Sequence, residues 1–225
     1  MGRVPQPEAN KGSQKWIQKL VNDKESLFNS FISRTLEFAE GESINWLSPR
    51  KSDKYAEYRD QAFLDKLEIR LAKIPLEQFW PARGPQWDAF GKTSRGQVLL
   101  VEAKSHISEL LSSLQAESTE SKTKIQKSLE ATKLALNYHA NVDWSQRFYQ
   151  YTNRLAHLYL LRENNIPAYL VFVYFLNDAE MKGPSTVLEW KGAEQLLHSY
   201  LGLGRNKLRK FIIDVYIDVR ELQNH

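Results

Sequence analysis

The sequence predicts an α/β fold: a central mixed β-sheet flanked by helices, with an added helix at the N-terminal side. Three observations carry this. The run from Ala168 to Leu176, AYLVFVYFL, is apolar on both faces, as befits a central strand covered by helices on both sides. Val98 to Val101 is a second short apolar run, and Phe211 to Val219 alternates well enough to form a third strand. Between them lie longer segments whose apolar residues recur at helical spacing, so helices and strands interleave along the chain.

With 225 residues, 42% hydrophobic and 26% charged, one compact domain with a full core is expected. Residues 1–45 read as a tail and helical extension, and residues 46–225 as the α/β domain proper. There is no cysteine, which excludes disulfides, thiol catalysis and thiolate-bound zinc. The chain shows no apolar leader core and no run long enough to span a bilayer, so a cytoplasmic protein without membrane contact is expected. The net charge of +4 is compatible with a polyanionic partner without requiring one. The basic segment Arg205 to Lys210 and the row Lys122, Lys124 and Lys127 are either part of such a surface or ordinary solvated faces.

Taken in order, Met1 to Asn10 reads as a disordered lead-in. Ser13 can cap a helix to about Ala39, with Trp16, Leu20, Leu27, Phe31 and Phe38 as its apolar positions. Ile44 to Leu47 is extended. Ser52 or Asp53 can cap a second helix to about Leu71, with Phe63, Leu67 and Leu71 on one face and Glu57 and Gln61 on another. After a breaker-rich stretch, Phe79 to Pro85, comes a hairpin from Asp88 to Lys104. His106 to Leu114 reads as a short helix, and Gln115 to Thr123 as a polar loop that is either a lid or a plain connection. Helices follow over Lys124 to Ala140, from a Ser145 cap to Asn164, and over Val187 to Leu201. The second of these helices carries a polar stripe, Gln150, Asn153, Arg154 and His157, among otherwise apolar and aromatic residues.

The hairpin carries the chemistry. Successive strand residues point to opposite faces, so Glu102 and Lys104 share a face and Ala103 points away. With Asp88 on the partner strand, two acids and a lysine would meet at one open hairpin end. Oxygen ligands of this kind suit a hard divalent cation beside an ammonium that can handle a proton or stabilise charge. The histidines at 106, 139, 157, 198 and 225 show no metal-binding pair, and no phosphate loop or nucleophile elbow is present. Trp80, Trp87, Trp144 and Trp190 are either base-stacking platforms or core.

Asp88, then fourteen residues on, Glu102-x-Lys104, resembles the signature of the PD-(D/E)XK nuclease superfamily, the restriction-endonuclease-like fold. Trp87 stands before Asp88 where such proteins often have proline. The stretches WPARGPQWDA, LLVEAKSHISEL and YQYTNRLAHLYLL also look like a family of uncharacterised bacterial proteins within that superfamily. The resemblance covers most of the chain from about residue 46. It implies a metal-dependent nuclease acting on nucleic acid, DNA rather than RNA, with Mg²⁺ or Mn²⁺ held by Asp88, Glu102 and the Ala103 carbonyl. Lys104 would assist the attacking water. The resemblance also makes Glu57, read as lying on the first core helix, a further acid near the metal; a solvent-facing glutamate is the alternative. Gln150 corresponds to a glutamine that faces the site in several members, whereas Arg154 stands where a tyrosine often follows. Gln150, Asn153 and Arg154 are the substrate-binding candidates, with a structural ion pair the alternative for Arg154. A homodimer fits such a fold, although no interface stripe stands out. The competing functions are a catalytically silent nucleic-acid-binding or assembly module, and a hydrolase of another phosphorylated ligand.

Overall fold

The computed structural model describes residues 2–36, 41–136, 142–204 and 206–223. The expected helical positions Phe38, Ala39 and Ala140, the basic Arg205, and His139 and His225 lie outside the described residues. The strands are β1 (Arg3–Val4), β2 (Ile44–Ser48), β3 (Glu57–Tyr58), β4 (Ala89–Thr93), β5 (Val98–Lys104), β6 (Ala168–Leu176) and β7 (Ile212–Asp218). The helices are α1 (Gly12–Asn22), α2 (Glu25–Leu36), α3 (Asp60–Lys66), α4 (Leu76–Phe79), α5 (Thr119–Ala135), α6 (Tyr149–Glu163), α7 (Val187–Leu201) and α8 (Val219–Gln223).

Five strands form one mixed sheet in the order β2-β4-β5-β6-β7. The β2-β4 and β4-β5 pairs are antiparallel, while β5-β6 and β6-β7 are parallel. Both faces are covered, which explains the uninterrupted apolar reading of β5 and β6. Leu100, Phe172 and Tyr174 pack on one side with Leu129 of α5, Leu155 of α6 and Trp190 of α7. Leu99, Val101, Ala103 and Val173 pack on the other with Trp16 and Leu20 of α1, Phe28 of α2 and Leu222 of α8. The first two helices therefore form a full layer over the sheet. No helix among the described residues is long and apolar enough to cross a membrane.

Several local expectations are corrected. The single helix from Ser13 is two helices, broken after Asn22, whose side-chain amide donates to the Gln18 and Pro49 carbonyls at 2.7 and 2.8 Å and competes with helix continuation. The lead-in is ordered: Arg3 and Val4 pair antiparallel with Tyr58 and Glu57, and Arg3 holds Asp53 at 2.7 Å. The helix expected over residues 52–71 shrinks to α3. Lys54, Tyr55 and Asp60 have φ of 53°, 48° and 54°, left-handed values that no α-helix tolerates, so Glu57 lies on β3 between them. The segment after β5 holds a 3-10 turn at Ile107–Leu110 in place of a helix. α5 begins at Thr119, earlier than expected, because the Ser118 side chain accepts the Ser121 N–H at 3.1 Å. Ser145 does not cap α6; it accompanies Asp143, and the helix starts at Tyr149.

Candidate functional site

The β4-β5 hairpin brings the acids together by register. Ala89 faces Val101 and Phe90 faces Leu100, so Asp88 stands opposite Glu102 one step beyond the ladder. Glu102 and Lys104 point to the face that carries Leu100 and α6, and Ala103 packs with the α1 layer. The Ala103 N–H donates to Asp88 Oδ2 at 2.8 Å. On a strand, a residue's N–H and C=O point to the same edge, so the Ala103 carbonyl faces the same side as Asp88.

Glu102 is 2% exposed and both its oxygens are engaged. Oε1 accepts from Lys104 Nζ at 2.5 Å, and Oε2 from Arg154 at 2.6 Å. Gln150 reaches the cluster from the first turn of α6, its Oε1 accepting from Lys104 Nζ at 3.0 Å. That turn is held by the segment after β5: the Tyr149 and Gln150 N–H groups donate to the Ser112 carbonyl and hydroxyl at 3.1 and 2.8 Å. Arg154, one helical turn on, also donates to the Gln86 carbonyl at 2.8 Å and to Asn153 Oδ1 at 2.9 Å. Its guanidinium lies 4.8 Å from the centroid of the buried Trp87 ring. Asn153, Arg154 and His157 are all buried, so the polar stripe of α6 faces inward.

Glu57 joins the cluster from β3. Gln14 donates to its Oε1 at 3.1 Å, Gln6 to its Oε2 at 3.3 Å, and Gln86 to the same oxygen. These three glutamines were not legible as site residues. Gln6 and Gln14 come from the N-terminal layer, at no recognisable spacing from Glu57; Gln86 stands two residues before Asp88, the one signal that pointed to it.

The charges oppose one another. Burial raises the proton affinity of Asp88 well above that of an ordinary carboxylate, and the Glu102 charge adds to it. Glu57 moves the same way: burial raises it, Glu102 adds to that, and the glutamine hydrogen bonds work against both. Glu102 goes the other way. Burial resists its charge, but Arg154 and Lys104 outweigh that and hold it below the usual range. His157 is pushed down to about 3 by burial, so it is neutral, and its Nδ1–H donates to the Asn153 carbonyl at 2.8 Å. It is a packing residue, caged by Phe79, Trp80 and Trp87.

Asp88, Glu57, Gln150, Asn153 and Arg154 line a cleft of about 790 Å³. One wall is Trp80 to Gln86; the other runs from Leu114 to Ser118 and into α5. The second wall is the stretch read as lid or connection. It is tied down on the α6 side, where the Leu114 N–H donates to the Ser145 carbonyl at 2.9 Å. Trp80, Trp87, Trp144 and Trp190 are 3% exposed or less and belong to the core.

Among the described residues, no group of three or more His, Asp or Glu side chains forms a ready-made metal cage. The donor set nevertheless fits a hard cation. Asp88 lines the cleft with only its Oδ2 hydrogen-bonded among the described residues, Glu57 faces the same cleft with neutral partners, and the three carboxylates outnumber Lys104 and Arg154.

A second polar cluster lies under α7, away from this cleft. Tyr216 of β7 donates to both oxygens of Glu194 at 2.8 and 3.0 Å, Arg209 pairs with Asp214 at 2.8 Å, and the Tyr151 hydroxyl meets His198 Nε2 at 2.8 Å. Burial, with Asp214 adding repulsion, pushes Glu194 up to about 7.

Comparisons of the chain with protein-family models, with curated proteins and with solved structures each found no match.

Proposed function

We propose that this protein is a metal-dependent nuclease of the PD-(D/E)XK kind, with a restriction-endonuclease-like core, hydrolysing phosphodiester bonds in DNA. The observation that carries the reading is the meeting of Asp88, Glu102 and Lys104 at the open end of one hairpin, with Asp88 opening on a cleft. A mixed sheet with helices on both faces agrees with that core.

Asp88, Glu102 and the Ala103 carbonyl would hold Mg²⁺ or Mn²⁺, which supplies Lewis acidity at the scissile phosphate and lowers the pKa of a bound water. Lys104 stands between Glu102 and Gln150, where its ammonium can position the attacking water and steady the charge that develops on phosphorus. Gln150 fixes Lys104 Nζ and offers its amide N–H₂ to the water or phosphate. Glu57 lines the cleft beside Asp88, where its carboxylate can accept a hydrogen bond from water in the cleft. Asn153 is the further substrate-side group. A chain without cysteine suits a cytoplasmic setting.

One observation favours the alternative, a nucleic-acid-binding module without turnover. Both oxygens of Glu102 are already held by cations, so a metal has to compete for that ligand. Incubation of the protein with mixed linear and circular DNA and RNA, in Mg²⁺, Mn²⁺ or EDTA, separates the two. Metal-dependent cleavage that disappears in Lys104→Ala supports the nuclease. Binding without cleavage in every metal supports the module.

A further inference from the structure

We infer that Arg154 is the built-in second cation of the site, so that the chain takes a single divalent ion. This rests on the metal reading above and goes beyond it, because it assigns Arg154 to Glu102 and not to the substrate phosphate.

The guanidinium is fully committed. Its Nε and Nη2 both lie 2.6 Å from Glu102 Oε2, Nη2 also donates to the Gln86 carbonyl at 2.8 Å, and Nη1 donates to Asn153 Oδ1 at 2.9 Å. Its central carbon lies over Trp87, 4.8 Å from the ring centroid, and the residue is 4% exposed. A side chain held by three partners and an aromatic face does not swing out to a phosphate without leaving one oxygen of the buried Glu102 without its cation. The other Glu102 oxygen belongs to Lys104 at 2.5 Å.

Charge counting reaches the same conclusion. With all groups ionised, Asp88, Glu57 and Glu102 face Lys104 and Arg154, and one net negative charge remains. One divalent ion turns that into a net positive charge that a phosphodiester neutralises. A second ion would crowd two more positive charges beside two fixed ones before any substrate arrives. Arg154 covers Glu102 Oε2, so an ion that shares that oxygen has to displace the guanidinium. Arg154 thus acts through Glu102 as a positioning residue: it orients that carboxylate and supplies permanently the positive charge that another ion would bring.

Calorimetric titration of the full chain with Mn²⁺ tests this, with binding stoichiometry as the readout. The wild type is expected to bind one ion per chain. Arg154→Met keeps the apolar stem over Trp87 and removes the charge; it is expected either to take up a second ion or to bind the first at least about tenfold more tightly. Arg154→Lys keeps a charge and is expected to retain one ion. Two ions in the wild type overturn the inference, as does Arg154→Met binding one ion with unchanged or weaker affinity. Should circular dichroism find Arg154→Met unfolded, the wild-type and Arg154→Lys stoichiometries decide. A wild type that binds no Mn²⁺ overturns the metal reading itself, a result distinct from the binding of two ions.

Discussion

Glu194→Gln is the sharpest test of the electrostatics, because the structure supplies both the shift and its cause. Glu194 projects from α7 onto Tyr216, with Asp214 and His198 nearby and Arg209 and Lys191 as opposing cations. Burial comes first in raising its proton affinity from 4.5 to about 7. A carboxyl raised in this way keeps its proton in the folded state after the unfolded chain has released its own. Stability therefore falls as pH rises from the ordinary value to the raised one, and is level above that. At about 1.4 kcal/mol per pH unit, the loss between roughly pH 5 and roughly pH 8 is about 2.5 kcal/mol. Glutamine keeps an acceptor for the Tyr216 hydroxyl and does not titrate. Any fixed cost of its N–H₂ group is the same at both pH values and cancels when they are compared. For a chain of this size the difference corresponds to about 5–10 °C in melting temperature. Calorimetric scans of wild type and Glu194→Gln at both pH values measure it. The melting temperature of the variant, relative to wild type, should be higher by that amount at the upper pH than at the lower. Equal offsets at the two pH values would refute the reasoning.

Three further outcomes concern the cleft. Lys104→Ala should abolish cleavage in a plasmid-nicking assay while Mn²⁺ binding by calorimetry persists or tightens, since the substitution removes a cation beside the metal ligands. Mn²⁺ at about 100 times its dissociation constant should stabilise the wild type by about 2.7 kcal/mol, and Asp88→Asn should lose most of that melting shift because it removes an anionic ligand while keeping the shape. Gln14→Leu should lower the cleavage rate by releasing one oxygen of Glu57, with a stability cost of only about 1 kcal/mol; an unchanged rate would remove Glu57 from the working site.

Much of the architecture was legible because it is locally encoded. β6 announces itself by nine apolar or aromatic residues in a row, and α7 by its helical stripe between Thr186, which forms a capping box with Glu189, and Gly202. The hairpin was legible for the same reason: Asp88, just ahead of β4, and Glu102 on β5 flank one short turn, so continuing the strand alternation sets them opposite each other. Gln150 and Arg154 were legible as polar residues out of place on an aromatic helix. What escaped depends on distant partners. β3 is two residues long and is paired with Arg3 and Val4, more than 50 residues earlier, and bridged to Trp87, nearly 30 residues later. The pattern around Phe63 and Leu67 carried the helix too far back, and nothing local marks left-handed residues at Lys54 and Tyr55. The amides of Gln6 and Gln14 are invisible for the same reason, since their target is defined by the fold and not by spacing.

The crossover from β5 to β6 divides the labour between two separable pieces of chain. Asp88, Glu102 and Lys104 sit in one tight hairpin, whereas the outer wall of the cleft belongs to the stretch leading into α5. That stretch has its own anchors, at Ser112 and Leu114 against the start of α6, and contributes no strand to the main sheet. Lengthening a surface segment costs little, about 0.6 kcal/mol for each doubling. The wall from Leu114 to Ser118 can therefore be exchanged for a shorter or bulkier one while the hairpin and its carboxylates stay put, which makes it the natural handle for redesigning what enters the cleft.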